Sequence, residues 1–267
     1  MKRWTHEVSA AWLEARRSVL TATEIAGLLP EYKRYLKKAD PDILMPGFAA
    51  LWAAKNSDTE LDTSSPSPAA ARGHIMEPWA VESWNKQASP TFFHWDDCVI
   101  RNGLFGFSPD AMDIMQLYPD AKLDVSADGK FVANEEGRYC TAPHAILEIK
   151  SYEAAKHMKC VIMDRMDHEE LMQLAMAFVV LPELEQATIV WFCPGAPISM
   201  YAESYTRDDL HDQTRWIVEI AEVYMEQAAK CEKLQSALTA QCTEQEVWDA
   251  FVAEQASDSD SVFMLKG

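Results

Sequence analysis

Two short segments of this chain carry residue types suited to phosphodiester chemistry. One is Gly106-Phe107-Ser108-Pro109-Asp110-Ala111-Met112; the other is Ile146-Leu147-Glu148-Ile149-Lys150. Phosphodiester hydrolysis needs a nucleophilic water, charge neutralisation at phosphorus and help for the leaving oxygen. Mg²⁺ held by one or two carboxylates, with several waters retained, supplies much of this, and Mn²⁺ is a possible substitute. Glu148 and Lys150 lie two apart in a run of Ala, Ile and Leu that reads as a strand, so both point to one face. Glu148 can bind metal there while Lys150 orients or activates water and offsets charge. Asp110 leaves a β-like segment and could bridge to the same ion. The competing explanation is an exposed edge-strand ion pair, a Glu and a Lys that merely neighbour each other in solvent. E-x-K is weak by itself, since Glu31-Tyr32-Lys33 repeats it in a helical context. Pro-Asp also recurs, at Pro41-Asp42 and Pro119-Asp120.

Gln173 is the only polar residue between Leu171 and Val180. A Gln inside such an apolar helix must find partners or cost stability, and an active-site wall could supply them. Its bland alternative is the solvent edge of an amphipathic helix. Glu77 falls in the first turn of a helix expected to begin near Arg72, where a carboxylate is usually a helix-dipole partner. Lys33, Arg34, Lys37 and Lys38 form a basic stripe at helical spacing, read as a solvated face. His168-Glu169 opens like a zinc-protease helix, but Met172 stands where the second His belongs. No glycine pattern makes a nucleophile elbow of Ser108.

The elements that must position these residues follow from pattern. Helices are expected over residues 9–17 and from the capping box Thr21-Ala22-Thr23-Glu24 to about Leu29, because Pro30 follows. Residues 57–71 read as a mobile Ser/Pro/Ala-rich loop, followed by a helix from Arg72 to Lys86. Asn102-Gly103 predicts a hairpin between residues 99–101 and 104–107, with 113–115 continuing the sheet. Residues 116–143 read as an insertion carrying a small hairpin around Asp128-Gly129. A buried strand is expected over 145–149, a strongly apolar helix over 169–180, and strands over 188–192 and 198–205. A long helix should run from Asp208 to about Lys230, with Leu210, Ile217, Ile220, Ala221 and Tyr224 on one face. Thr243 to Glu246 should cap a last short helix. The architecture expected is α/β, a central mixed β-sheet flanked by helices. It forms a single domain over residues 1–256, followed by an acidic tail over 257–267.

The chain has 267 residues, 48% of them hydrophobic, with nine Trp, which fits a globular protein. No N-terminal signal is visible, and the apolar run from Leu171 to Leu181 is too short to span a bilayer. A soluble, cytoplasmic protein without membrane association is expected. Six cysteines with no C-x-x-C pair argue against zinc-ribbon and iron–sulfur sites and for reduced core thiols. The net charge is −18, with 24 basic and 42 acidic residues. A DNA-binding protein this acidic must concentrate its Lys and Arg locally, because phosphate contacts carry affinity.

Taken in order, the motifs resemble the lambda-exonuclease-like (YqaJ-type) branch of the PD-(D/E)XK nucleases, the phage recombination exonucleases. They are Trp12 to Arg16 followed by Thr21-Ala22-Thr23, Arg72-Gly73 with Glu77-Pro78-Trp79-Ala80, Ser108-Pro109-Asp110, Leu147-Glu148-Ile149-Lys150, and Gln173 to Met176. The resemblance covers roughly residues 9–180. It implies a PD-(D/E)XK core in which Asp110, Glu148 and the backbone carbonyl of Ile149 hold Mg²⁺ and Lys150 is the catalytic lysine. It further implies that Glu77 lies near a second metal or its waters, Gln173 beside the lysine, and Arg16 and Thr23 around the terminal 5′-phosphate of DNA. Three departures from the family pattern stand out: Ala111 replaces the usual Gly, the connection from Asp110 to Glu148 is long, and His168 and Leu171 replace a Tyr and a Gln.

The activity implied is a metal-dependent 5′-3′ exodeoxyribonuclease acting on double-stranded DNA ends in a bacterial host cell. It would leave 3′ overhangs for a single-strand annealing protein. A homo-oligomer, a trimeric ring by resemblance, would let basic residues line a channel while acidic faces point outward. Two alternatives stand beside it: an endonuclease or resolvase on the same core, and a non-catalytic acidic binding module or DNA mimic.

Overall fold

The structure, a computed structural model, describes residues 10–38, 43–57, 68–95, 99–113, 123–125, 131–133, 138–140, 143–163 and 167–241. Its elements in chain order begin with helices α1 (Ala10–Arg17), α2 (Ala22–Lys38), α3 (Pro46–Asn56) and α4 (Pro68–Asn85). Strands β1 (Phe93–His94), β2 (Ile100–Asn102), β3 (Phe105–Phe107), β4 (Ala111–Met112), β5 (Leu123–Val125), β6 (Phe131–Ala133), β7 (Arg138–Cys140) and β8 (Ala145–Lys150) follow. Then come α5 (Ala154–Met163), α6 (His168–Val180), β9 (Gln186–Phe192), β10 (Met200–Tyr205) and α7 (His211–Gln241).

The central sheet has the order β1-β4-β8-β9-β10. Only β8 and β9 run parallel; the other neighbours are antiparallel, so the sheet is mixed as expected. A parallel pair needs a crossover, which α5 and α6 provide. β8 is central and covered on both faces, which explains its unbroken Ala-Ile-Leu start. Ala145, Leu147 and Ile149 pack with Ala80 and Val81 of α4. Ile146 joins the larger core with Met172, Leu174 and Phe178 of α6 and with residues of α2 and α7. α6 is apolar nearly all round because it lies between the sheet and the outer helices.

Several expectations need correcting. α2 does not stop at Leu29 but runs through Pro30 to Lys38. Pro30 is exposed, whereas Leu28, Leu29 and Tyr32 face the core. Burying each such side chain contributes about 1.5–3 kcal/mol, together more than the ~3 kcal/mol an interior proline costs. α4 begins at Pro68 rather than Arg72, so the last four residues of the expected loop are helical. The hairpin turn is Gly103-Leu104, one residue later than expected, with Gly103 at φ 58°. Asn102 is paired with Phe105, and its side-chain amide donates to Val180 O at the end of α6. In the insertion, β5 and β6 pair antiparallel on either side of Asp128-Gly129, as the expected hairpin requires; β7 adds a third strand, and β5 lies beside β2. β4 ends at Met112; Ile114 and Met115 lie outside the described residues, as do the expected last helix and the acidic tail. α7 extends past Lys230 to Gln241, and the expected apolar face is buried. Of Cys160, Cys193 and Cys231, only Cys231 is buried. No helix among the described residues is long and apolar enough to cross a membrane.

A backbone bridge ties the segment between α1 and α2 to the hairpin. Leu20 N–H donates to Leu104 O at 2.7 Å, and Gly106 N–H donates to Leu20 O at 3.1 Å. The approach is close enough that a Cβ at Gly106 would sit 2.5 Å from Val19 Cγ2. Gly106→Ala should therefore destabilise the protein by about 1–3 kcal/mol, the cost of overpacking a tight contact. Urea unfolding measures this, and an unchanged midpoint would show that Val19 gives way freely.

Candidate active site

Glu148 and Lys150 continue the row begun by Ile146, on the α6 side of β8, as the two-residue period requires. Because β8 lies between β4 and β9, the edge-strand ion pair is ruled out. Lys150 Nζ donates to Glu148 Oε1 at 2.7 Å, with the two side chains only 19% and 13% exposed. Burial alone would lower the Lys150 pKa. The carboxylates of Glu148 and Asp110 outweigh it and hold the ammonium above its ordinary range.

Asp110 reaches the same place from β4. The pairing of Ala111 with Leu147 sets Asp110 level with Glu148 on the next strand. Its Oδ2 accepts the Ile149 N–H at 2.6 Å, and its own carbonyl accepts the Trp95 N–H at 3.1 Å. Burial, then the charges of Glu148 and Glu77, push the Asp110 pKa well up against the opposing pull of Lys150 and the Ile149 N–H. Ala111, where the family pattern has Gly, turns its methyl into the α4 side of the core.

Glu77 lies in the third turn of α4, not the first, so a helix-dipole role does not apply. Two imidazoles hold it instead: His74 Nδ1 is 3.4 Å from Oε1, and His94 Nε2 is 3.3 Å from Oε2. Burial would raise the Glu77 pKa, but these two partners override it and draw the carboxyl well below its usual range. β1 delivers His94 by pairing it with Ala111. Neither histidine had a sequence signal, because their meeting depends on a two-residue edge strand and a helix that starts early.

Arg16 ends α1 and Thr23 lies exposed in the first turn of α2. Burial lowers the Arg16 pKa, opposed by the charges of Glu24 and Glu148. Arg16 is therefore within electrostatic reach of the cluster on β8. One half of the expected capping box is given: Thr21 N–H donates to Glu24 Oε2 at 2.8 Å. Lys55, at the end of α3, binds Glu24 Oε1 at 2.8 Å and the carbonyls of Val19 and Arg16 at 2.6 and 3.3 Å. Sequence reasoning missed Lys55, since a single Lys near a helix end carries no motif.

Gln173 lies half-buried on α6, and its Oε1 is buried without a hydrogen-bond partner among the described residues. Two further contacts frame the exit of β8. Arg72 donates to Ser151 O at 2.9 Å, and the Tyr152 hydroxyl donates to the buried Glu170. The decoy Glu31-Tyr32-Lys33 lies in α2, where the Tyr32 hydroxyl binds Glu219 at 2.8 Å. Lys33 and Arg34 of the basic stripe are exposed, and Lys33 Nζ also sits 4.2 Å from the centre of the Trp216 ring.

Among the described residues, no three His, Cys, Asp or Glu side chains converge as a finished metal-ligand set. The donor types nevertheless fit a hard divalent cation. Asp110, just before β4, and Glu148 on β8 are carboxylates, and the Ile149 carbonyl follows Glu148 in sequence, an all-oxygen set. Burial first and the Glu148 charge second raise the Asp110 pKa, and a cation there would offset both.

The sequence model of the YqaJ-like viral recombinase domain matches residues 11–180, a span that includes Arg16, Thr23, Glu77, Asp110, Glu148, Lys150 and Gln173. No curated protein matches the chain. The crystal structure of an alkaline exonuclease from Laribacter hongkongensis is similar, with a TM-score of 0.58 at 16% identity, over 88% of this chain and 100% of that one. LHK-Exo in complex with dAMP is similar too, with a TM-score of 0.52 at 15% identity, over 85% of this chain and 100% of that one. At such identity the likeness speaks to the fold, which both share over most of this chain. The family match covers more than half of the residues, and the chain belongs to the YqaJ-like viral recombinase domain family.

Proposed function

We propose that this protein is a Mg²⁺-dependent exodeoxyribonuclease. It digests the 5′-ended strand at double-stranded DNA ends and leaves a 3′ overhang for a single-strand annealing partner. The observation that carries this is the partly buried meeting of Asp110, Glu148 and Lys150, with Arg16 close enough to feel Glu148. A solved relative in the fold comparison, LHK-Exo, is an exonuclease with a complex containing dAMP, which supports a deoxynucleotide ligand here.

The residues divide the work. Asp110, Glu148 and the Ile149 carbonyl would hold the cation, which when bound supplies charge neutralisation and an activated water. Lys150, paired with Glu148, would orient or activate water and offset charge at phosphorus. Glu77, fixed by His74 and His94, would bind waters at the far side of the site. Gln173 offers an unused buried acceptor to the same wall. Arg16 grips the terminal phosphate with its planar fork, beside the α2 N-terminus that carries Thr23.

Lys150→Ala should cut digestion of linear duplex by about 10²–10³-fold or more, as loss of a single stabilising group at reacting charge does. Its unfolding temperature should stay near wild type; a variant that digests normally would remove Lys150 from the chemistry. Asp110→Asn should stay folded and lose the rise in unfolding temperature that Mg²⁺ gives wild type through preferential binding to the native state. An equal rise in both proteins would place the cation elsewhere. Arg16→Ala should lower the preference for 5′-phosphorylated ends by about tenfold or more, the scale of a lost charged hydrogen bond. The digestion assay should include closed circles, since cutting these would make the enzyme an endonuclease.

A further inference from the structure

Lys55 projects from the last turn of α3, and its side chain is only 11% exposed. Its ammonium has three donors, and three oxygens take them: Val19 O, Glu24 Oε1 and Arg16 O. The other oxygen of Glu24 accepts the Thr21 N–H, the capping contact that starts α2. One cation thus binds the end of α1, the segment joining it to α2, and the first turn of α2.

The electrostatics give this knot a purpose beyond packing. The start of a helix favours anions through its free N–H groups and its dipole. In α2 that place already holds a carboxylate. Left uncompensated, Glu24 would repel an incoming phosphate and compete with it for Arg16, whose charge it already feels. Lys55 cancels the Glu24 charge and fixes both backbone arms of the pocket at once.

We propose that Lys55 is a positioning residue that sets the selectivity of this protein for 5′-phosphorylated DNA ends. It does so by neutralising Glu24 and holding Arg16 and the α2 N-terminus in register. The proposal rests on the assignment of Arg16 and Thr23 to the 5′-phosphate pocket. Lys55 acts through these groups and does not touch the phosphate.

The test uses the full chain with Mg²⁺ and linear duplexes bearing either a 5′-phosphate or a 5′-hydroxyl. Lys55→Met keeps the apolar stem and removes the charge. It should raise KM for phosphorylated ends by about tenfold or more, leave KM for hydroxyl ends unchanged, and keep kcat within about twofold, since the lost interaction serves binding of one group only. Lys55→Arg, which keeps the charge, should retain most of the preference. Glu24→Gln combined with Lys55→Met should recover part of it, because the unpaired carboxylate is gone.

A Lys55→Met enzyme with wild-type selectivity would overturn the proposal, as would an equal loss on both kinds of end. A double variant no better than Lys55→Met reduces Lys55 to a purely structural lysine and also overturns it. Should Lys55→Met fail to fold, measured by thermal unfolding, Lys55→Arg and the double variant decide by the same KM ratios; failure of all three to fold counts against the proposal. Wild-type protein that digests linear DNA without phosphate preference removes the pocket itself, whereas loss of selectivity in Arg16→Ala but not in Lys55→Met removes Lys55 alone.

Discussion

Asp110 stands between two other carboxylates, feeling Glu148 on β8 and Glu77 on α4, and Lys150 is paired with Glu148. Asp110 is repelled by Glu148 and by Glu77 in a partly buried setting. Every nearby contact answers that repulsion. Lys150 binds Glu148, the Ile149 N–H binds Asp110, and two histidines bind Glu77. A fold selected for stability alone would fill such a place with apolar side chains. Its persistence here is intelligible if a divalent cation completes it.

The parts of this arrangement that depend on local pattern were legible in the sequence. β8 announced itself by an apolar run too short for a helix, and the two-residue period put Glu148 and Lys150 on one face. The hairpin before Asp110 was visible in its glycine, although the register slipped by one because Asn102 serves α6 with its side chain. What was hidden depends on contacts between distant elements. Pro30 lies inside a helix, where burial of Leu28, Leu29 and Tyr32 offsets the cost of an interior proline. His94, Lys55 and Tyr152 acquire their importance only when a short edge strand, the end of a helix and a strand exit are brought beside charged groups. No spacing rule records such meetings.

The acidity of the chain also takes on a more specific meaning. Net charge bears on solubility and steering rather than on fold. Around the site the cations are already engaged: Lys150 with Glu148, Lys55 with Glu24, and Arg72 with Glu153 and the Ser151 carbonyl. On the proposed function, a polyanion reaching Lys150, Lys55 or Arg72 would exchange partners with existing carboxylates. Such a surface discriminates by geometry, because an anion gains only where it replaces an internal carboxylate well.

The bridge from Leu20 to the hairpin has a mechanical consequence. From Gly106, hydrogen-bonded to Leu20, the chain runs directly through Phe107, Ser108 and Pro109 to Asp110. The segment carrying the proposed grip on a DNA end is therefore hydrogen-bonded to the stretch of chain that leads to Asp110, a proposed metal ligand. On that assignment the two would act as the jaws of one caliper. On the proposed assignment, the distance from the held end to the severed bond is gauged by backbone, and side-chain motion at either jaw leaves that gauge unchanged.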